Sequence, residues 1–366
     1  MPDSKTASSP ALIDMQSPDP RTLRVILITV ATTLFLGSTG NTIVSTAVPK
    51  IVSDLGGLAY VSWVMTSYLL ASTVGAPIAG KLGDMYGRKI VLQVAIGIFL
   101  TGGLICGVAG NLVVLIAGRL VQGLGGGALI VVAMTVIADV LPPRESARAQ
   151  ASLSSVFGIS TVLGPLIGGF LVQTVSWHWI FFVNFPIGVL AFVILTRTLP
   201  SRTEKVPHKM DYMGSILLMV LLSTLVLIAN LAGTIYAWTS LPTLFLLLLI
   251  PMALVGFISA ERRAAEPVMP LGLFRIRNFQ AANCVGFMVG MAMFGTIAFM
   301  PMFLQVVKHV DPIRSGLYMV AMMAGLFGTS VGSGRVMRTT GRYKILPTVS
   351  TAVLCLAMLL LTTIGP

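Results

Sequence analysis

Charge is scarce in this chain. Only 10% of its 366 residues are Asp, Glu, Lys or Arg, while 55% are hydrophobic; a soluble domain carries roughly 25% charged residues. So few charges cannot cover the surface of a soluble fold, and that class is excluded. Cysteine is scarcer still: Cys106, Cys284 and Cys355 stand in apolar runs without ligand spacing, so neither a disulfide nor a metal site is expected. His178, His208 and His309 are each alone in the sequence, which removes the other common metal ligand. Acid clusters and His-Asp groups of the kind a membrane-bound transferase needs are missing too, so the chain reads as a non-enzyme with no cofactor.

What remains is a series of long uncharged stretches. They run from Arg24 to Lys50, Leu55 to Gly80, Ala149 to Thr196, Tyr212 to Ala260, Asn278 to Val307, Ser315 to Gly334 and Ile345 to Pro366. Another, from Ile90 to Ala138, is interrupted only by Arg119. A membrane-crossing helix needs about 20 apolar residues. Three stretches are long enough for two crossings and divide at Gly110-Asn111, at Ser176 to Trp179 and between Gly233 and Pro242. The fold class expected is therefore all-α and polytopic, with eleven transmembrane helices.

Cations orient the stack. With the amino terminus in the cytoplasm, twenty of the 24 Lys and Arg residues fall on the cytoplasmic side, and only Lys50, Lys308 and Arg314 on the other. That asymmetry is the positive-inside pattern of a membrane protein; a bacterial cell membrane and a eukaryotic endomembrane suit it equally, and the cell membrane is the location expected. It also accounts for the net charge of +12, because the cations are spread over separate short segments and form no nucleic-acid stripe. Residues 1–22 are polar and proline-rich, read as a disordered tail without a cleavable signal.

Two loops resemble each other. Gly80 to Lys89 and Gly334 to Lys344 both place glycines seven apart, followed by Arg and Lys. Internal repeats of this kind are common in secondary transporters, which bind substrate between the repeats near the bilayer midplane. The resulting division is a first six-helix repeat over 23–199, a loop with two additional central helices over 200–262, and three helices of a second repeat over 263–366. On that reading the chain is expected to lack the last three helices of fourteen.

These features, in this order, resemble the major facilitator superfamily, and within it the fourteen-span drug:proton antiporters of the EmrB/QacA kind. The resemblance rests on Asn41 to Pro49, Gly80 to Lys89, Arg119 to Gly123, Gly164 to Gly169, Trp177 to Pro186 and Glu266 to Phe274. It implies a secondary active transporter that exports drug-like amphipathic molecules by alternating access. The partners implied are a small-molecule substrate, a proton as coupling ion and the bilayer.

Site residues follow motif by motif. Gly80, Asp84, Gly87, Arg88 and Lys89 form the expected gating loop, with glycines for close backbone approach and Asp84 able to pair with Arg88 or a helix end. Gly164, Pro165, Gly168 and Gly169 form the motif that the family associates with exporters, small residues four apart that also pack helices closely. The G-x-G-x-x-A run from Gly123 to Ala128 lies inside a membrane helix and reads as helix packing, not dinucleotide binding. Arg119 is the one charge embedded in a span, about 12 Å along its helix at 1.5 Å per residue. Buried charges of this kind are costly and functional by default. With Gln122 and Asn41 it is expected to face the central cavity, for coupling or for sensing substrate charge. The family usually carries an acid at the position of Gly40, and none of the twelve acids is embedded. Either Arg119 meets an anionic substrate, its partner acid lies on further helices, or coupling is lost. An exporter of an anionic metabolite and a non-transporting chain are the alternatives to drug efflux.

Overall fold

The computed structural model describes residues 20–56, 61–199, 211–233, 235–264, 266–309 and 345–363, with scattered positions between 318 and 336. The helices are α1 (Pro20–Ser45), α2 (Val48–Leu55), α3 (Val61–Tyr86), α4 (Arg88–Gly107), α5 (Leu112–Val140) and α6 (Pro143–Thr174). They continue as α7 (Trp179–Phe182), α8 (Asn184–Thr198), α9 (Tyr212–Leu231), α10 (Leu241–Arg263), α11 (Arg277–Val306) and α12 (Ile345–Thr362). A short 3-10 helix (Leu271–Arg275) leads into α11. The first helix begins at Pro20, inside the segment read as tail; proline suits a first helical turn because its missing N–H needs no partner there. The second copy of the repeated loop, Val336 excepted, lies outside the described residues, as does most of the tenth expected span.

Eight described helices are long and apolar enough to cross a membrane, α7 and α8 counting together. Their boundaries follow local chemistry. Asn111 caps α5 by accepting a hydrogen bond from the Val114 N–H at 2.9 Å, the signature of an N-cap. Gly87 separates α3 from α4 at φ 91°, a conformation that glycine adopts without the Cβ penalty. Gly233 turns α9 towards α10 in the same way, at φ 77°, where the long uncharged stretch was divided.

Helix α5 is the hub, packed against α3, α4 and α1, while α1 also packs on α6 and α8. Its glycine run explains how. An ideal Cβ would lie 2.5 Å from Tyr68 O at Gly123, 2.5 Å from Phe99 N at Gly125 and 2.0 Å from Ser72 O at Gly127. Backbone therefore touches backbone on two faces of α5, the means by which helices associate where lipid removes the hydrophobic drive. Apolar side chains fill two clusters. Leu34, Leu92, Phe99, Leu129 and Ile137 lie in one and Ile43, Val64, Leu115, Trp177 and Phe181 in the other. The hairpin α9–α10 packs on itself and on α3. By contrast α12 buries none of its apolar window.

Candidate functional site

Arg119 sits in the first third of α5, fully buried. Its guanidinium is spread over neutral acceptors on three helices. Nε donates to Val64 O at 3.1 Å, Nη1 to Gly40 O at 2.6 Å and to Gln122 Oε1 at 2.8 Å, and Nη2 to Asn41 Oδ1 at 3.3 Å. The Tyr68 ring covers its face, with the guanidinium carbon 4.2 Å from the ring centre, a cation–π arrangement. Tyr68 is itself held by donating to Gly37 O at 2.7 Å. Arg119, Gln122 and Asn41 are brought together, and among the described residues the cation is enclosed between α1, α3 and α5. Asn41 is the half-exposed member of the group.

No carboxylate pairs with Arg119 among the described residues. Gly40 shows why an acid is not accommodated at its own position: an ideal Cβ there would lie 2.9 Å from Phe99 Cε2 and Cζ and 3.1 Å from the Tyr68 hydroxyl. The backbone carbonyl of Gly40 takes the place of a side-chain acceptor. Gln122 spends its Oε1 on Arg119 while its buried Nε2 has no hydrogen-bond partner among the described residues. An unpaired buried donor costs about 1–3 kcal/mol, so this half of the amide works against stability.

The residues of the Gly80–Lys89 loop gather on Arg88. Its Nη2 bonds Asp84 Oδ1, its Nη1 donates to Gly80 O at 3.1 Å, and its Nε donates to Asp139 Oδ2 at 3.0 Å. Lys89 Nζ donates to Thr196 O at 2.8 Å, tying α4 to α8. Asp139, at the end of α5, had no expected role; its spacing from Arg88 along the chain gives no signal. Gly80 itself is not crowded, since a Cβ would meet only Val131 Cγ1 at 3.7 Å, whereas at Gly83 it would lie 2.6 Å from Arg88 Nη1. The positive φ thus calls for glycine at Gly87, whereas the contact at Gly83 is with the movable end of the Arg88 side chain and Gly80 is uncrowded.

In α6 the glycines differ among themselves. A Cβ at Gly164 would lie 2.3 Å from Thr42 Oγ1, and at Gly168 2.5 Å from Thr46 Oγ1 and 2.6 Å from Ile43 O, while Gly169 has nothing within 4 Å. Gly164 and Gly168 therefore press α6 onto α1. Pro165 stands inside the helix, where its missing N–H leaves one carbonyl of the preceding turn without a helical donor. At the opposite end of the bundle, Trp177 Nε1 donates to Asp54 Oδ2 at 3.2 Å and Lys50 pairs with Asp54 at 3.0 Å.

Comparison with known proteins agrees with this architecture. The model of the Major Facilitator Superfamily matches residues 30–366. The chain is 39% identical over 344 residues to the Multidrug transporter protein MdtP of Bacillus subtilis (strain 168), covering 93% of this chain and 63% of that protein. It is 35% identical over 334 residues to Multidrug resistance protein 3 of the same organism, covering 91% of this chain and 65% of that protein. The chain thus spans less than two thirds of the length of both. Among solved structures, the proton:xylose symporter XylE bound to 6-bromo-6-deoxy-D-glucose matches with a TM-score of 0.61 at 12% identity, over 87% of this chain and 70% of that one. That likeness concerns the fold.

Proposed function

Because the chain belongs to the major facilitator superfamily and is an integral membrane protein, we propose that it is a secondary active transporter of the EmrB/QacA kind, exporting drug-like amphipathic molecules by alternating access in antiport with protons. The observation that carries this reading is its identity with two relatives named for multidrug transport and resistance. Three local arrangements support it. The polar centre of Arg119, Gln122 and Asn41 places charge and a spare amide donor between α1, α3 and α5. Arg88 joins α3, α4 and the end of α5, so separating these helix ends breaks several bonds together. Gly164, Pro165 and Gly168 provide a close but interrupted contact between α6 and α1.

A second reading, export of an anionic compound, is favoured by one observation: the positive charge of Arg119 is met by neutral groups alone among the described residues. Its field is therefore not cancelled locally and disfavours a cation nearby. Reconstituted vesicles loaded with matched cationic and anionic dyes separate the two. The drug-export reading expects faster movement of the cationic dye when a proton gradient is imposed. Movement that ignores the gradient excludes antiport, and preference for the anionic dye selects the second reading.

A further inference from the structure

Two amides buried on different helices each leave half of their hydrogen-bonding capacity unmet. Gln122 of α5 is 0% exposed, and its Oε1 accepts from Arg119, so the free group is the Nε2 donor. Asn184, at the start of α8, is 2% exposed, and its Nδ2 donates to Ile180 O at 3.3 Å, so the free group is the Oδ1 acceptor. Neither amide can be turned round, because a guanidinium offers no acceptor and a carbonyl no donor. One donor and one acceptor are thus left without a partner among the described residues.

Helix α4 packs on both helices. Gly107 of α4 lies against the Phe182 ring, and Leu100, two turns earlier, against Gly188 of α8. The two helices therefore run antiparallel, with Asn184 near the level of Gly103 and on the buried row that continues through Gly188, Ala191 and Leu195. Gly103 is buried but uncrowded. An ideal Cβ there would lie 3.5 Å from Gln122 Nε2, 3.7 Å from Phe181 O and 3.9 Å from Phe185 Cε2, all ordinary contacts, whereas at the adjacent Gly102 it would collide with the Gln122 backbone. Close packing of α4 on α5 explains Gly102. It does not explain Gly103, which leaves room for one small group beside an unpaired donor and a carbonyl.

We infer that this space is a binding site for a single ordered water, held by Gln122 Nε2, Phe181 O and Asn184 Oδ1. The water accepts from Gln122 and donates its two hydrogens to the two oxygens, three bonds being usual for a buried water. An ion does not suit the same partners. The Gln122 N–H and the Arg119 charge behind it repel a cation, and the two oxygens repel an anion. The bridge satisfies both orphan groups. It also carries the polar centre from α5 across α4, giving α7 and α8 a hold on the side chain that helps to fix Arg119.

The test uses the whole protein in lipid nanodiscs and reads stability and hydration, not transport. Gly103→Ala fills the space with a methyl group without a clash. A dry space predicts a higher melting temperature for this variant, as for Gly97→Ala on the same helix, where nothing lies within 4 Å and alanine is the better helix former. Displacing a bonded water should instead lower the melting temperature by several degrees. Hydroxyl radicals generated by X-rays from bound water should oxidise the half-buried Phe185 in the wild type, and this labelling should fall several-fold in Gly103→Ala and in Asn184→Leu. Phe99, fully buried on α4, should stay unlabelled throughout. A higher melting temperature for Gly103→Ala, or Phe185 labelling unchanged by either variant, overturns the site. If neither variant folds, the wild type decides: labelling of Phe185 above that of Phe99 supports the water, and equal labelling overturns it.

Discussion

The Gly40 carbonyl oxygen accepts a hydrogen bond from Arg119 Nη1 at 2.6 Å, while Phe99 closes the space where a Gly40 side chain would stand. The same residue thus supplies an acceptor and leaves no room for a carboxylate. Gly40→Asp is expected to destabilise the protein by about 1–3 kcal/mol, the usual range for overpacking. Phe99→Ala alone should cost about 3–5 kcal/mol, and the double variant should lose less than the sum of the two single losses because the clash is opened. Thermal unfolding in detergent measures both; a single Gly40→Asp variant as stable as wild type would contradict the packing.

The fork of Arg119 points to a second outcome. Its bonds run to acceptors on α1, α3 and α5 that a single ammonium cannot reach together. Arg119→Lys should fold with a stability loss of about 1–3 kcal/mol from unsatisfied buried carbonyls. Dye export should fall by roughly tenfold or more, since 1.4 kcal/mol is a factor of ten. Export at the wild-type rate in reconstituted vesicles would remove Arg119 from the transport cycle.

Arg88 behaves as a shared node, so its removal should exceed the loss of any one partner. An exposed ion pair contributes about 0.2–1 kcal/mol, and Asp139→Asn should shift the ratio of open to closed states at this end by less than fivefold. Arg88→Ala, which loses Asp84, Asp139 and the Gly80 carbonyl at once, should shift it further. Distances between spin labels on α3 and α5 report the ratio, and equal shifts in the two variants would show that the bonds are not joined.

Much of this was legible in the chain before any geometry. Charge-free runs located the helices, Asn111 marked the start of α5, and the isolated Arg119 drew attention because a buried charge needs partners. The partners themselves were not legible. Tyr68 and the Val64 carbonyl sit on α3, far from Arg119 in sequence, and are selected only when the glycines of α5 let the two backbones touch. Asp139 and Asp54 read as acids at span ends, since nothing in their neighbourhood names Arg88 or Trp177. Backbone acceptors such as Gly40 O are invisible to any reading of side-chain types, which is why the missing acid suggested an open question about Arg119 where the structure supplies a carbonyl.

Asp54, on α2 outside the membrane-spanning helices, gives a pH dependence. Lys50 foremost, with Ser53 and Trp177, holds its carboxyl below the ordinary value of 3.8. Because the folded value is depressed, the stabilisation is present above 3.8 and is lost as pH falls through the lowered folded value. Tryptophan emission should therefore be flat around neutrality and change only in strong acid, as Trp177 Nε1 loses its charged acceptor. The acid step should be missing from Asp54→Asn and from Trp177→Phe. A step of the same size in both variants would place its origin elsewhere.

The three glycines of α6 should separate by geometry despite their shared motif. Alanine at Gly164 or Gly168 drives a Cβ into Thr42 or into Thr46 and the Ile43 carbonyl, contacts that require α6 to move from α1. Each variant should lose about 1–3 kcal/mol, together with most of its export, because the α1–α6 contact carries the Asn41 side of the polar centre. Gly169 faces open space, and Gly169→Ala should be neutral or stabilising by up to about 1 kcal/mol, the helix propensity difference. Melting temperature and dye export measured on the three single variants supply the comparison. Equal losses at all three positions would mean that backbone flexibility, which every glycine of the motif provides, matters more than the contact with α1; a loss confined to Gly164 and Gly168 assigns the motif to close packing.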